Sequence, residues 1–114
     1  MPSRDWSQSY LRFLRLASAI RDLPALDAVE ERLLRSLAVK WADGGKLTVL
    51  EVMSIGEDAS PATIHRRLKT LREKQLIELV GDSHDSRLKY VVPTAQATKY
   101  FSKMGKALAR ASRA

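Results

Sequence analysis

Between Ser60 and Thr94 the apolar residues change period once, and that change restricts what the chain can fold into. Ser60-Pro61 places a strong N-cap ahead of a proline at the first helical position. Ile64, Leu68 and Leu71 then recur at helical spacing. From Leu76 the period drops to two: Ile77 and Leu79 alternate with Glu78. The polar run Gly81-Asp82-Ser83-His84-Asp85-Ser86 reads as a turn. After it Leu88, Tyr90 and Val92 alternate with Lys89 and Val91 and stop at Pro93. A capped helix over 60–74 therefore runs directly into a β-hairpin over 77–93.

The elements upstream are shorter but as clearly punctuated. Thr48-Val49-Leu50-Glu51 is a capping box and predicts a short helix over 49–55, with Lys46-Leu47-Thr48 as a brief strand before it. Gly56-Glu57-Asp58 breaks that helix. Pro24 is tolerated in a first helical turn and opens a segment with the stripe Leu26, Val29, Leu33, Leu37 and Trp41, which Gly44-Gly45 stops. Ser3 can cap a first helix striped by Trp6, Tyr10, Phe13, Ala17 and Ile20. Thr94 caps a last helix striped by Ala97, Tyr100 (or Phe101), Met104 and Leu108. With no repeat and no linker, one domain over 1–114 is expected: an N-terminal helix (1–22), a core (24–94) and a C-terminal helix (95–114).

Helix, short strand, short helix, tight turn, basic helix and hairpin, in that order, is the plan of a winged helix-turn-helix. The expected fold class is mainly α with a small β-hairpin wing, flanked by N- and C-terminal helices. Charge agrees with a polyanionic partner, since 20 Lys+Arg against 13 Asp+Glu leave +7. The excess is uneven: residues 60–94 hold seven basic and four acidic side chains, and residues 95–114 hold five basic and none acidic. Small polar residues at the start of the basic helix let its N-terminus enter a major groove, and its partial positive charge favours phosphate. The residues placed at double-stranded DNA are Ser60, Thr63, His65, Arg66, Arg67, Lys69, Arg87 and Lys89. Arg67 lies about 100° round the helix from Arg66, so pairing with Glu73 or Asp58 is its alternative. Lys69 and Arg72 fit phosphate contact and a solvated face equally.

The stretch from Thr48 to Thr94 resembles the DNA-binding core of MarR-type winged-helix transcription regulators. Ser60-Pro61-Ala62-Thr63-Ile64-His65-Arg66-Arg67-Leu68 is similar to their recognition helix. Leu71-Arg72-Glu73-Lys74-Gln75-Leu76-Ile77 is similar to the step into the wing, with Gln75 where the family usually has glycine. Asp85-Ser86-Arg87 resembles the family's Asp-x-Arg wing tip, which implies an Arg reaching into a minor groove and an Asp steadying it. The resemblance also implies a homodimer. The terminal helices carry more aromatic surface than one small core needs, and Trp6, Tyr10, Phe13, Ala17, Tyr100, Phe101, Met104 and Leu108 are the expected interface. The alternative is that these helices simply pack on residues 26–41.

Other classes find little support. The absence of cysteine excludes disulfides, thiolate zinc sites and cysteine nucleophiles. His65 and His84 lack a ligand cluster, Asp82 and Asp85 fit a turn better than a metal, and Gly44-Gly45 follows a helix instead of opening a phosphate loop. No enzyme, metal or cofactor is expected, and no residue pattern argues for a small-molecule effector. Arg12, Arg15 and Arg21 beside Trp6 and Phe13 could suit a membrane surface or a transit peptide, but Asp5 and Asp22 oppose both. The expectation is a cytoplasmic, dimeric DNA-binding transcription regulator. The alternative is a winged-helix protein-interaction module without sequence-specific DNA binding.

Overall fold

A computed structural model describes residues 7–55 and 59–113. The chain divides into two compact units, Pro24–Ala97 and Met1–Leu23 with Thr98–Ala114. In the larger unit α2 (Ala28–Ala42) starts at Asp27 and not at Pro24. The Asp27 carboxylate accepts from the Glu30 N–H at 2.8 Å, and the Glu30 carboxylate accepts from the Asp27 N–H at 2.8 Å. That reciprocal box satisfies two donors that a start at Pro24 would leave open. Gly44 ends the helix at φ 79°, a left-handed conformation in which glycine has no Cβ penalty.

β1 (Leu47–Thr48) leads into α3 (Val49–Met53) through the expected box: Glu51 N–H to Thr48 Oγ1 at 3.1 Å and Thr48 N–H to Glu51 Oε1 at 3.0 Å. The helix is shorter than 49–55, because Ser54 closes it by donating its hydroxyl to the Glu51 carbonyl at 2.7 Å. The Gly56-Glu57-Asp58 break lies outside the described residues. Next come α4 (Pro61–Glu73), β2 (Ile77–Gly81), β3 (Lys89–Pro93) and α5 (Ala95–Ser112).

The sheet is antiparallel in the order β1-β3-β2, so the last strand is central. Val91 pairs with both Leu47 and Leu79, and Tyr90 with both Thr48 and Val80. Of the two alternating sets after the turn, the inward residue is therefore Val91, only 1% exposed, while Leu88 is 39% exposed. Trp41 pins the same position by donating Nε1–H to the Val91 carbonyl at 3.0 Å. The core joins Leu33, Leu34 and Leu37 of α2, Val52 of α3, Ile64, Leu68 and Leu71 of α4, and Leu76, Ile77 and Val91. Each fully buried leucine contributes about 1.5–3 kcal/mol.

In the smaller unit Ser7, not Ser3, caps α1 (Gln8–Ser18), accepting from the Tyr10 N–H at 3.2 Å. Ser3 and Trp6 lie outside the described residues. Arg12 Nε donates to the Ala111 carbonyl at 3.0 Å, and Lys103 Nζ to the Arg21 carbonyl at 3.4 Å. No residue of α1 is buried. On the part of α5 that belongs to this unit the buried positions are Ala107 and Ala111, and Leu108 stands 58% exposed.

Among the described residues of the larger unit, the passage from α4 to β2 is the one place where a residue other than glycine takes a positive φ. Gln75 sits at φ 62°, and the Leu76 N–H reaches back to the Leu71 carbonyl at 3.0 Å. A left-handed non-glycine residue costs roughly 1–2 kcal/mol. Thr94 holds it there: its hydroxyl donates to the Gln75 carbonyl at 2.6 Å and accepts from the Ala97 N–H at 3.1 Å, capping α5 as expected. The Gln75 side chain is exposed, so its removal opens no buried cavity. Gln75→Gly is accordingly expected to stabilise the protein by about 0.5–1 kcal/mol. Chemical denaturation of the two proteins checks this, and a loss of stability would contradict it.

Candidate nucleic-acid interface

The core side of α4 determines what its other side presents. With Ile64, Leu68 and Leu71 buried, Ala62, His65, Arg66, Lys69 and Arg72 stand exposed along the opposite face. Ser60 builds the start of that face: its Oγ accepts from the Thr63 N–H at 3.2 Å and donates to Thr63 Oγ1 at 3.0 Å. Pro61 occupies the first turn, where its missing N–H costs nothing. Arg66 folds back along the helix and donates Nη2–H to Thr63 Oγ1 at 3.3 Å. Ser60, Thr63 and Arg66 thus form one polar surface at the positive end of the helix dipole, with His65 and Lys69 beside it.

Arg67 turns away from that surface. Its Nε lies 2.8 Å from Asp27 Oδ2 in an ion pair that lacks hydrogen-bond alignment, so its partner is the cap of α2. Asp58, one of the partners considered from sequence, lies outside the described residues.

Beside that pair is the one buried charged residue in the described structure. Glu30 is 2% exposed. It accepts from the Thr70 hydroxyl at 2.6 Å, from Lys74 Nζ at 2.7 Å and from the Asp27 N–H. Lys74 also donates to the Ala25 carbonyl at 2.7 Å. Burial pushes the Glu30 pKa up, but the bonds from Lys74, Thr70 and Asp27 outweigh it and hold the carboxyl below the ordinary glutamate value. Both Thr70 and Lys74 belong to the last turn of α4 or its cap, so this carboxylate fixes α4 against α2. The spacing Asp27-x-x-Glu30 carried a signal for it, because it has the N-cap and N3 pattern of a capping box.

The wing is built on its carboxylates. Asp82 Oδ2 accepts from the His84 and Asp85 N–H groups, each at 2.9 Å, and Asp82 Oδ1 accepts from the Tyr90 hydroxyl at 2.9 Å. These bonds hold the Asp82 pKa below the ordinary aspartate value, the His84 N–H most, and the same contact raises that of Tyr90. Lys46 Nζ lies 5.6 Å from the centre of the Tyr90 ring, a cation–π contact that sequence spacing gave no means of finding. At the tip Asp85 Oδ1 accepts from both the backbone N–H and Nε–H of Arg87, at 3.0 and 3.1 Å. That pairing lowers the Asp85 pKa and leaves the Arg87 side chain 88% exposed. Lys89 is exposed on the strand face opposite Tyr90. Among the described residues no group of His, Asp or Glu could hold a metal ion.

Of the residues expected at a two-fold interface, Tyr10 (59%) and Leu108 stand exposed, and Phe13, Ala17, Tyr100, Phe101 and Met104 are half-buried. Tyr100 and Phe101 meet edge to face, with ring centres 5.8 Å apart. Leu14 adds further exposed apolar surface to α1. No helix among the described residues is long and apolar enough to cross a membrane.

No family model matches the sequence, and no curated protein does. Solved structures do. The chain is similar to MepR of S. aureus bound to ethidium bromide, at 19% identity and a TM-score of 0.68, over 95% of this chain and 79% of that one. A mutant MepR gives 19% identity and a TM-score of 0.65 over 96% and 79%. A MepR–DNA complex gives 18% identity and a TM-score of 0.57 over 90% and 71%. The fold expected from sequence, mainly α with a small β wing, is the fold that these structures share with this chain.

The Glu30 cluster yields a test with a definite sign. A carboxyl whose folded pKa is depressed contributes stability above its unfolded pKa of about 4.3, and loses it as pH falls through the lower folded value. Glu30→Gln should cost about 1–2 kcal/mol at pH 7. In paired thermal melts the gap between the two proteins should shrink below about pH 4.3. A gap that stays constant down to pH 3 would contradict the depressed pKa.

Proposed function

We propose that this chain is a homodimeric, sequence-specific DNA-binding transcription regulator. The face of α4 from Ser60 to Lys69 reads bases in the major groove, and the wing holds the flanking backbone. The observation that carries the proposal is a single arrangement: a capped helix with an exposed cationic face, followed by a wing whose tip arginine is held out to solvent. Thr63 and Arg66, already bonded to each other, and the neighbouring His65 are the base-edge contacts. Ser60 and Lys69 take phosphates. Arg87 carries the wing, with Lys89 as its outer phosphate contact. Arg67 supports the helix from behind through Asp27 and has at most an indirect part.

MepR, whose fold this chain shares, has been solved in complex with DNA, and that complex supports the same use of the fold here. The exposed Tyr10, Leu14 and Leu108 support the dimer, because they leave apolar surface open on both terminal helices for a second copy to cover. Two-fold symmetry would set two reading helices about 34 Å apart, on successive turns of one duplex face. The role is one of binding, with no catalysis and no small-molecule effector assigned, and it places the protein in the cytoplasm.

Salt separates this reading from a protein-interaction module. Contact with roughly 6–10 phosphates predicts a fall in duplex affinity of about 10³–10⁵ between 50 and 200 mM salt. A shallow, sequence-blind response would favour the interaction module instead. Arg66→Ala should reduce binding to a preferred sequence by about 1–3 kcal/mol and flatten the preference, whereas Arg87→Ala should weaken all duplexes alike. Wild-type binding by both variants, with unchanged circular dichroism, would remove these assignments. Sedimentation should give a dimer at micromolar protein, and a monomer there would overturn the role of the terminal helices.

A further inference from the structure

The C-terminal helix carries a feature that the reading face does not use. Lys99, Lys103, Lys106, Arg110 and Arg113 follow spacings of four, three, four and three. At 100° per residue all five fall within an arc of about 80° on α5 and its last turn. No Asp or Glu occurs anywhere from 95 to 114. The side chains of Lys99, Lys106, Arg110 and Arg113 are exposed and have no ion pair or hydrogen bond among the described residues. Lys103 differs, since it is half-buried and donates to the Arg21 carbonyl.

We infer that this stripe is a second nucleic-acid surface, one that grips the sugar-phosphate backbone of duplex DNA without reading sequence. Its dimensions suit that partner. Lys99 to Arg113 spans roughly 21 Å of helix axis. That matches about six nucleotide steps of one DNA strand, at 3.4 Å each. The cations are mounted on a regular helix, so little ordering entropy opposes their joint engagement.

Two other occupants fit less well. A second copy of this helix would set like charge against like near a two-fold axis, with no carboxylate to intervene. An anionic membrane would attract the stripe, but stable attachment needs an apolar face as well. The exposed large apolar residue of α5, Leu108, stands on the side opposite the stripe, and Ala107 and Ala111 are buried, so no exposed apolar face adjoins the cations.

The inference stands apart from the reading role of α4, and one set of measurements separates them. The stripe variant is Lys99→Gln, Lys106→Gln, Arg110→Gln and Arg113→Gln together, leaving Lys103 in place. Glutamine keeps a high helix propensity, so α5 should persist. The control replaces the same four positions with the other cation, Lys→Arg and Arg→Lys. The reading variant is Arg66→Ala with Lys69→Ala. Each full-length protein is titrated with a random-sequence 30-bp duplex between 50 and 200 mM salt, and with anionic phosphatidylserine vesicles.

The stripe variant should lose affinity for random duplex, and its log–log salt slope should become shallower by about 0.9 for each contact removed. The cation-swapped control should retain both. An unchanged slope in the stripe variant, or a loss confined to vesicles, would overturn the inference. If the stripe variant loses duplex binding while the reading variant loses none, the inference stands and the reading role of α4 falls. The reverse pattern removes the stripe and keeps the reading helix.

Discussion

The buried carboxylate of Glu30 is the constraint on which the core unit turns. It accepts from the backbone that starts α2, from the hydroxyl of Thr70 and from the ammonium of Lys74, and so joins the start of one helix to the end of another. A carboxylate with no partner in this position would cost several kcal/mol. Here the partners supply enough to keep it ionised below the ordinary glutamate range. The leucines of α2 and α4 provide most of the burial energy but fix direction poorly, since an apolar face tolerates sliding. The Glu30 cluster removes that freedom and sets the rotation of α4 about its own axis. Every residue on the exposed face of α4 inherits its direction from that anchor.

The wing solves a related problem with the same chemistry. Seven residues from Asp82 to Leu88 carry no large buried side chain, so packing cannot order them. Two aspartates do so instead, one closing the loop onto backbone N–H groups and Tyr90, the other holding Arg87. Acidic residues in a surface proposed to meet DNA look unfavourable by charge count alone. The charge of Asp85 is offset by Arg87, which reduces the repulsion it offers to phosphate, whereas Asp82, bonded to neutral donors, stays ionised. Arg87 is balanced by Asp85 and Asp82 keeps its charge, so the net positive charge lies on α4 and along α5 and not at the wing tip. The opening charge imbalance therefore divides into separate surfaces with distinct proposed tasks.

Most of the fold was legible because its punctuation is local. Thr48 with Glu51, Ser60 with Pro61, Gly44 and the cap that Thr94 gives α5 each act on backbone groups within four residues, and each appears in the structure as the sequence indicates. What escaped depends on partners far along the chain. Asp27 and Glu30 form a local box, but Pro24 is the louder signal and displaced the start of α2. Val91 faces inward because β3 is central and pairs with Leu47 and Leu79, a register that the alternation of 88–92 does not contain. Arg67 finds Asp27 across 40 residues, and Lys46 finds Tyr90 across 44. The site was legible to the same degree: the exposed face of α4 follows from its period, whereas the direction of each arginine depends on tertiary neighbours.

The central claim is that the Glu30-anchored face of α4 reads sequence in a two-fold assembly. Selection of bound molecules from a random duplex library by the wild-type protein tests it most directly. The account predicts enrichment of a palindrome whose half-sites lie about 10 bp apart, or a multiple of that spacing. Recovery of an unenriched pool at moderate salt would contradict it.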